Sequence, residues 1–346
     1  MIAGPSKPRV TVVVLPRESF AHALRSLESL YAAPGIEFEL LYMDGATPRA
    51  LRSKLQAEAR VRGFRLVPVT GPVTPNRLRN LGARMARTEF VAFVDNDVLF
   101  AADWLGALVR CADETSADVV GPLICIGDPP FRRVHSAGGD SYIGESPAGR
   151  SFHESHRFID VPLDDAVRAS LVREPMNLVE FHCMLVRSAI FDRIGPLDEQ
   201  LSSAGEHSDL CMTVRAAGGR IMFEPSSMVN QFLPLLFPRD LASLPFFLSR
   251  WSPRRNAQSL TRLCEKYRVG MDDPGMAGYA EWLAKRNEVM FASVLNPLRR
   301  LPLLQPLRRP YRAGVAKLRE LAAGSANGTP LPAPRRTVTD RVSPGS

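Results

Sequence analysis

The chain has little cysteine, and what it has is scattered. Cys111, Cys125, Cys183, Cys211 and Cys264 are its five cysteines, with no Cys-x-x-Cys pair among them. That excludes a zinc ribbon or a dithiol redox centre and predicts buried free thiols in a reducing compartment. Long apolar runs are also missing. The best candidate, "FLPLLFPRDLASLPFFL" (232–248), is broken by prolines and by Arg239 and Asp240. It falls short of the roughly 18–20 apolar residues of a membrane span. The opening "MIAGPSKPRV" lacks the apolar core of a signal peptide. A soluble or peripheral cytoplasmic protein is expected. Excess charge is absent from most of the chain. The formal net charge is +8, but from Asn296 onward ten basic residues face only Glu320 and Asp340, so this tail accounts for the whole excess. A nucleic-acid-binding core is not indicated, because its basic footprint would lie on the folded domain.

What is present is 346 residues, 45% of them hydrophobic, enough for a substantial core. "RVTVVVLP" (9–16), "FELLYMD" (38–44), "FRLVPV" (64–69), "EFVAFVD" (89–95) and "ADVVGPLICIG" (117–127) are apolar runs of strand length. Between them lie helical patterns at 20–32, 48–63, 74–87 and 104–115. The helix at 74–87 opens on Thr and Pro, which suit an N-cap and a first helical position. Strands alternating with helices predict a mostly parallel central sheet with helices on both faces. Residues 128–175 are less regular and read as an insertion. Strands are predicted again at 178–187 and 220–225, and helices at 188–195 and 208–219. Residues 231–323 read as a helical, Pro-interrupted extension, and 324–346 as a disordered tail.

In such sheets ligands bind beyond the carboxyl ends of the strands. Arg17 and Glu18 follow the first strand, Asp44 ends the second, and Asp95–Asn96–Asp97 ends the fourth. A strand-end turn is one account of the last, since Asp and Asn form turns readily. A cation is the other. If the strand continues, Asp95 and Asp97 share a face roughly 6–7 Å apart. Mg2+ or Mn2+ would use such carboxylates together with phosphate oxygens. A second constellation, Glu206, His207 and Asp209, stands where a loop enters a helix. Helix termini favour acids there for electrostatic reasons, and a carboxylate or neutral imidazole there could also take a proton from a hydroxyl.

"FVAFVDNDV" is similar to the nucleophile strand of haloacid-dehalogenase phosphatases. There the motif opens the first strand of the domain and a later Lys is expected. Here three strands precede it, and no Lys occurs between Asp97 and Asn256. The ordered set "VTVVVLPRESFAHALRSLESLY", "FELLYMDGATP", "NRLRNLGARMARTEFVAFVDND" and "MLVRSAIFDRIGPLDEQL…GEHSDLCMTVRAAGGRIMFEP" resembles family 2 glycosyltransferases of the GT-A fold over roughly 9–230. The resemblance implies a GT-A domain over 1–230, with 128–175 as its insertion. It places Pro16 and Arg17 against a nucleotide and Asp44 at its base. Asn80 would support the pocket, Asp95 would approach the ribose or the metal, and Asp97 would ligate the metal. It departs from the family where Glu206–His207 stands in place of Glu–Asp. The proton acceptor is therefore open among Glu206, His207 and Asp209, with Glu206 preferred as the adjacent carboxylate. It departs again after the last strand, where Asn230 and Gln231 stand in place of a frequent histidine ligand.

His135 is a further pocket candidate, while His153 and His156 read as structural. Glu180 and His182, two apart in the predicted 178–187 strand, share a face and are expected on the acceptor side. The resemblance implies an inverting, metal-dependent transferase using a nucleotide-diphosphate sugar and Mn2+ or Mg2+. Its acceptor would be a glycan or lipid-linked hydroxyl, in cell-surface glycan or polysaccharide synthesis. A phosphatase and a catalytically silent sugar-binding scaffold are the competing classes. The Leu- and Arg-rich segment 296–321 is expected to touch anionic membrane at its cytoplasmic face.

Overall fold

A computed structural model describes residues 7–17, 19–70, 73–147, 149–232 and 241–300, together with 306, 313, 314 and 317. Along the chain run β1 (Val10–Leu15), α1 (Ala23–Ala32), β2 (Glu39–Asp44), α2 (Arg49–Arg62), β3 (Arg65–Pro68) and α3 (Pro75–Met85). Next come β4 (Phe90–Asp95), β5 (Val98–Phe100), α4 (Trp104–Thr115) and β6 (Val119–Ile126). The segment expected to be irregular holds β7 (Val134–Ser136), a hairpin of β8 (Gly139–Ser146) and β9 (Gly149–His156), α5 (Asp165–Ser170) and β10 (Glu174–Pro175). It is followed by β11 (Cys183–Arg187), α6 (Ile190–Ile194), α7 (Glu206–Ala216) and β12 (Ile221–Gln231). The last helices are α8 (Leu244–Arg250), α9 (Pro253–Tyr267) and α10 (Pro274–Arg300).

The central sheet has the order β10-β12-β6-β11-β4-β1-β2-β3. Its long strands β3, β2, β1, β4, β6 and β12 run one way and β11 runs against them. The mostly parallel sheet expected from the alternating pattern is present. β1 illustrates why an unbroken apolar run forms here. Val10, Val12 and Val14 enter a core with Leu27, Leu30, Leu55 and Leu108 from α1, α2 and α4. Val13 and Leu15 enter the opposite core with Leu78, Ile190 and Leu210 from α3, α6 and α7. A strand covered on both faces has no polar side to alternate with. Each such side chain contributes about 1.5–3 kcal/mol by leaving water. Gly82 lets α3 approach closely, since a Cβ there would stand 2.5 Å from Val13 Cγ1.

The parallel register sets Leu15 beside Asp95, so the turn after β1 and the end of β4 come together. β4 stops at Asp95 and Asn96–Asp97 form a turn. The alternating strand geometry expected for the two aspartates therefore does not hold. Asn96 stitches the junction instead. Its Oδ1 accepts from Arg17 N at 3.3 Å and its Nδ2 donates to Ser19 O at 2.9 Å. β11 also starts later than expected, at Cys183, which leaves Glu180 and His182 in the turn before it. α7 begins at Glu206 rather than Ser208, because Gly205 adopts a left-handed conformation (φ 77°) that ends the preceding loop.

The C-terminal helices pack where the hairpin and α7 meet. Leu260, Leu263, Met276 and Leu283 form one cluster with Phe152 of β9 and Met212 of α7. No helix among the described residues is long and apolar enough to cross a membrane. The expected tail at 324–346 and nearly all of 301–323 lie outside the described residues.

Candidate active site

A cavity of about 580 Å3 opens at the carboxyl ends of β1 and β4. The sheet contributes Arg17 and Asp95, and the turn before β11 contributes Glu180 and His182. The start of α7 adds Glu206 and His207, while β9 supplies Glu154 and His156. The C-terminal helices close it with Arg250, Trp251, Tyr279, Trp282 and Arg286. The sequence pattern predicted the first six of these residues as site groups. It did not predict Glu154 or the C-terminal wall, and it read His156 as structural. The available signal was the alternation of Phe152, Glu154 and His156, which puts all three on one face of a strand.

Glu206 is 2% exposed and its Oε1 lies 3.0 Å from Arg17 Nη1. Burial pushes its carboxyl up, but Arg17, Arg79 and Arg250 outweigh that and hold it below the usual carboxylate range. Arg79 lies beneath it, fully buried, stacked 3.6 Å from the Phe181 ring centroid and donating to Asn76 Oδ1. Gly205, just before Glu206, has no room for a side chain, since a Cβ would stand 2.4 Å from Leu263. Its N–H donates to Tyr279 Oη at 2.9 Å. α9 and α10 thus fix the entry to α7.

A run of acids and imidazoles crosses the cavity. Asp95 Oδ2 accepts from His182 Nδ1 at 2.7 Å. Glu180 Oε2 lies 3.4 Å from both His182 Nε2 and His135 Nε2. Its Oε1 lies 3.0 Å from His156 Nδ1, an ion pair without hydrogen-bond alignment. His156 Nε2 hydrogen-bonds Glu154 Oε1 at 3.2 Å, and His207 Nε2 stands 3.7 Å from the same oxygen. Ser208 Oγ donates to the other oxygen of Glu154. Burial opposes a charge on His156, but the contacts with Glu154 and Glu180 outweigh it and raise its pKa from 6.5 to about 10. Glu180 moves the opposite way. Burial pushes its carboxyl up, and His135 and His156 outweigh that and hold it well below the usual range.

Several expected site residues lie elsewhere. Asp209 does not line the cavity: its Oδ1 meets Lys266 Nζ and Tyr267 Oη, each at 2.6 Å. Asn80 is committed to structure, for its amide exchanges hydrogen bonds with Leu197 N and O and donates to Glu199. It pins the loop that leads to α7. Asn230 is likewise spent, bonded to Phe131 N and Gly127 O. Asp44 ends β2 outside the cavity lining, 2.6 Å from Arg52 Nε, with Pro16 close to its neighbour Gly45. The Oδ1 of Asp44 and the Oδ1 of Asp95 are both buried with no hydrogen-bond partner among the described residues. Buried acceptors of that kind are costly, and a ligand donor or a cation would satisfy them. Asp97 is buried and is not among the cavity-lining residues.

The sequence profile described as glycosyl transferase family 2 matches residues 11–166. The uncharacterized protein y4gI of Sinorhizobium fredii is 29% identical over 226 residues, 63% of this chain and 24% of the relative. A pre-mycofactocin glycosyltransferase of Mycobacterium tuberculosis is 27% identical over 228 residues, 66% of this chain and 43% of the relative. The chain spans less than half the length of these curated relatives. Among solved structures, GalNAc-T7 with UDP, GalNAc and Mn2+ superposes with a TM-score of 0.52 at 15% identity, covering 86% of this chain and 58% of that one. That likeness is one of fold, and the fold is GT-A.

Proposed function

From the premise that residues 11–166 belong to glycosyl transferase family 2, we propose that the chain transfers a sugar from a nucleotide diphosphate to an acceptor hydroxyl, with inversion. The observation that carries this reading is the convergence of the β1 turn, the end of β4 and the start of α7 on one cavity. Asp44 and Pro16 would meet the nucleotide, with the unpaired Asp44 Oδ1 accepting from the base. Arg17, held by Glu206, would face the diphosphate. Asp95 and Asp97 would hold Mn2+ or Mg2+, and the orphaned Asp95 Oδ1 fits that use. Such an ion, when bound, neutralises charge on a departing diphosphate.

For the proton acceptor the geometry favours His207 over Glu206. Glu206 is committed to Arg17 and kept ionised by the surrounding guanidinium groups. His207 faces the cavity with Nε2 3.7 Å from Glu154 Oε1, a carboxylate that can orient the ring. The acceptor would enter between the β8–β9 hairpin and α10, where Trp282, half exposed, offers a flat apolar face. The acceptor would be a hydroxyl of a glycan or a lipid-linked glycan, in cell-surface glycan synthesis. Residues 1–230 would form the transferase domain, and 231–323 an extension that completes the acceptor side. The basic segment 296–321 would hold the protein at an anionic membrane surface near lipid-linked acceptors.

The test is a thermal-shift screen of nucleotides and nucleotide sugars with Mn2+, followed by calorimetry on the hit. One nucleotide-diphosphate sugar should raise the melting temperature only with the ion present, and Asp97→Ala should abolish that gain. A hit that binds equally well without Mn2+, or in Asp97→Ala, would remove the metal from the reading. Release of phosphate from small phosphoesters would replace the reading with a phosphatase.

A further inference from the structure

We propose that His135, Glu180 and His182 bind a divalent transition-metal ion of the zinc class, separate from the ion assigned to Asp95 and Asp97. The ligand set is two imidazole nitrogens and one carboxylate oxygen, and all three residues line the cavity. The nitrogens each lie 3.4 Å from Glu180 Oε2, and the third edge of the triangle is under 4.8 Å. Ligands about 2.0–2.2 Å from a tetrahedral ion stand roughly 3.4 Å apart. The contacts are also long for charge-assisted hydrogen bonds, which run to about 2.9 Å.

Asp95 stands behind His182, its Oδ2 2.7 Å from the ring Nδ1. A carboxylate behind a ligating histidine is the usual outer support of a metal site. Glu180 has the same support, because its other oxygen is held by His156.

The neighbouring group of Glu154, His156 and His207 differs, because His156 Nε2 is already hydrogen-bonded to Glu154 Oε1 at 3.2 Å. Two imidazoles disfavour Mg2+ or Mn2+, which prefer oxygen, and suit Zn2+ or Co2+. Three protein ligands leave a fourth position open to the cavity, the pattern of a catalytic rather than a structural zinc site. In that position the ion would hold an acceptor oxygen. This role rests on the transferase reading, whereas the binding of the ion does not.

The test uses the full chain, freed of metal with a chelator and titrated with cobalt(II) chloride. One equivalent should produce the visible absorption of a four-coordinate cobalt site, and zinc chloride should displace it. His135→Gln and His182→Gln should each lose the absorption, and Asp97→Asn should keep it. Near-ultraviolet circular dichroism checks that the variants fold. His135 lies at the cavity surface, so His135→Gln keeps the test open if His182→Gln does not fold. No absorption in the wild type overturns the proposal, as does absorption that survives both histidine variants or disappears in Asp97→Asn. Calorimetry of the nucleotide sugar on the wild-type chain separates the two readings. Donor binding without cobalt binding removes the second ion alone, and cobalt binding without donor binding removes the transferase reading alone.

Discussion

Replacing His156 by Gln removes the positive charge that lies between Glu154 and Glu180. The pKa of His156 rises from 6.5 to about 10 in the folded chain. At about 1.4 kcal/mol per pH unit this corresponds to a contribution of about 4 kcal/mol at pH 7, taken as a ceiling. Breaking a buried ion pair from one side costs about 3–5 kcal/mol, in the same range. His156 is 17% exposed, so solvent screens it only in part. We expect a loss of about 3 kcal/mol and a melting temperature lower by roughly 6 °C, measured by scanning calorimetry with chelator present.

The pH dependence has a definite sign. A folded pKa above the unfolded one contributes stability that is complete below pH 6.5 and is lost as pH rises through about 10. The carboxyls of Glu154 and Glu180 are shifted down, so their share is present above their ordinary range near 4.5 and is lost as pH falls. The gap between wild type and His156→Gln should therefore be widest near pH 5–6.5 and should close between pH 7 and 10. A gap that stays constant from pH 6 to pH 10 would refute the account of His156 as a buried cation.

His207→Gln should retain donor binding and lose transfer by roughly 100-fold or more, checked by single-turnover kinetics. Glu206→Gln should instead weaken donor affinity through the loss of Arg17's anchor, and a selective fall in kcat there would return the proton-accepting role to Glu206. Asn80→Ala leaves the N–H and C=O of Leu197 without their partner and should cost about 1–3 kcal/mol in denaturant unfolding. The full-length chain should co-sediment with anionic vesicles at low salt and release at high salt, and truncation after Asn296 should abolish this.

The parts of the fold that were legible in the sequence are those whose neighbours are apolar on every side. β1, β4 and β6 had to be runs of Val, Ile, Leu and Phe, because cores lie on both faces. The β8–β9 hairpin was not legible. "GDSYIGES" and "GRSFHESH" are polar and glycine-containing, and Phe152 finds its apolar partners more than a hundred residues later in α10. Local pattern carries no trace of such a contact. Glu180 and His182 line the cavity, but not by sharing a strand face. They precede β11, where His182 meets Asp95, a contact to which periodicity is blind. Asp209 looked like a site group because it follows Glu206 and His207, yet helical spacing rotates it toward α9, where Lys266 and Tyr267 receive it.

The hydrogen bond from Gly205 N to Tyr279 Oη bears on how a protein of this kind can diverge. The family segment ends at residue 166, whereas Glu180, Glu206 and the whole of α10 lie beyond it. These later residues form the far wall of the cavity. Tyr279 belongs to that wall and also holds the loop from which Glu206 and His207 project. A substitution in α10 that displaces Tyr279 therefore also disturbs the start of α7. The cavity wall and the start of α7 are coupled, and a helix grafted here from another protein should alter both or neither.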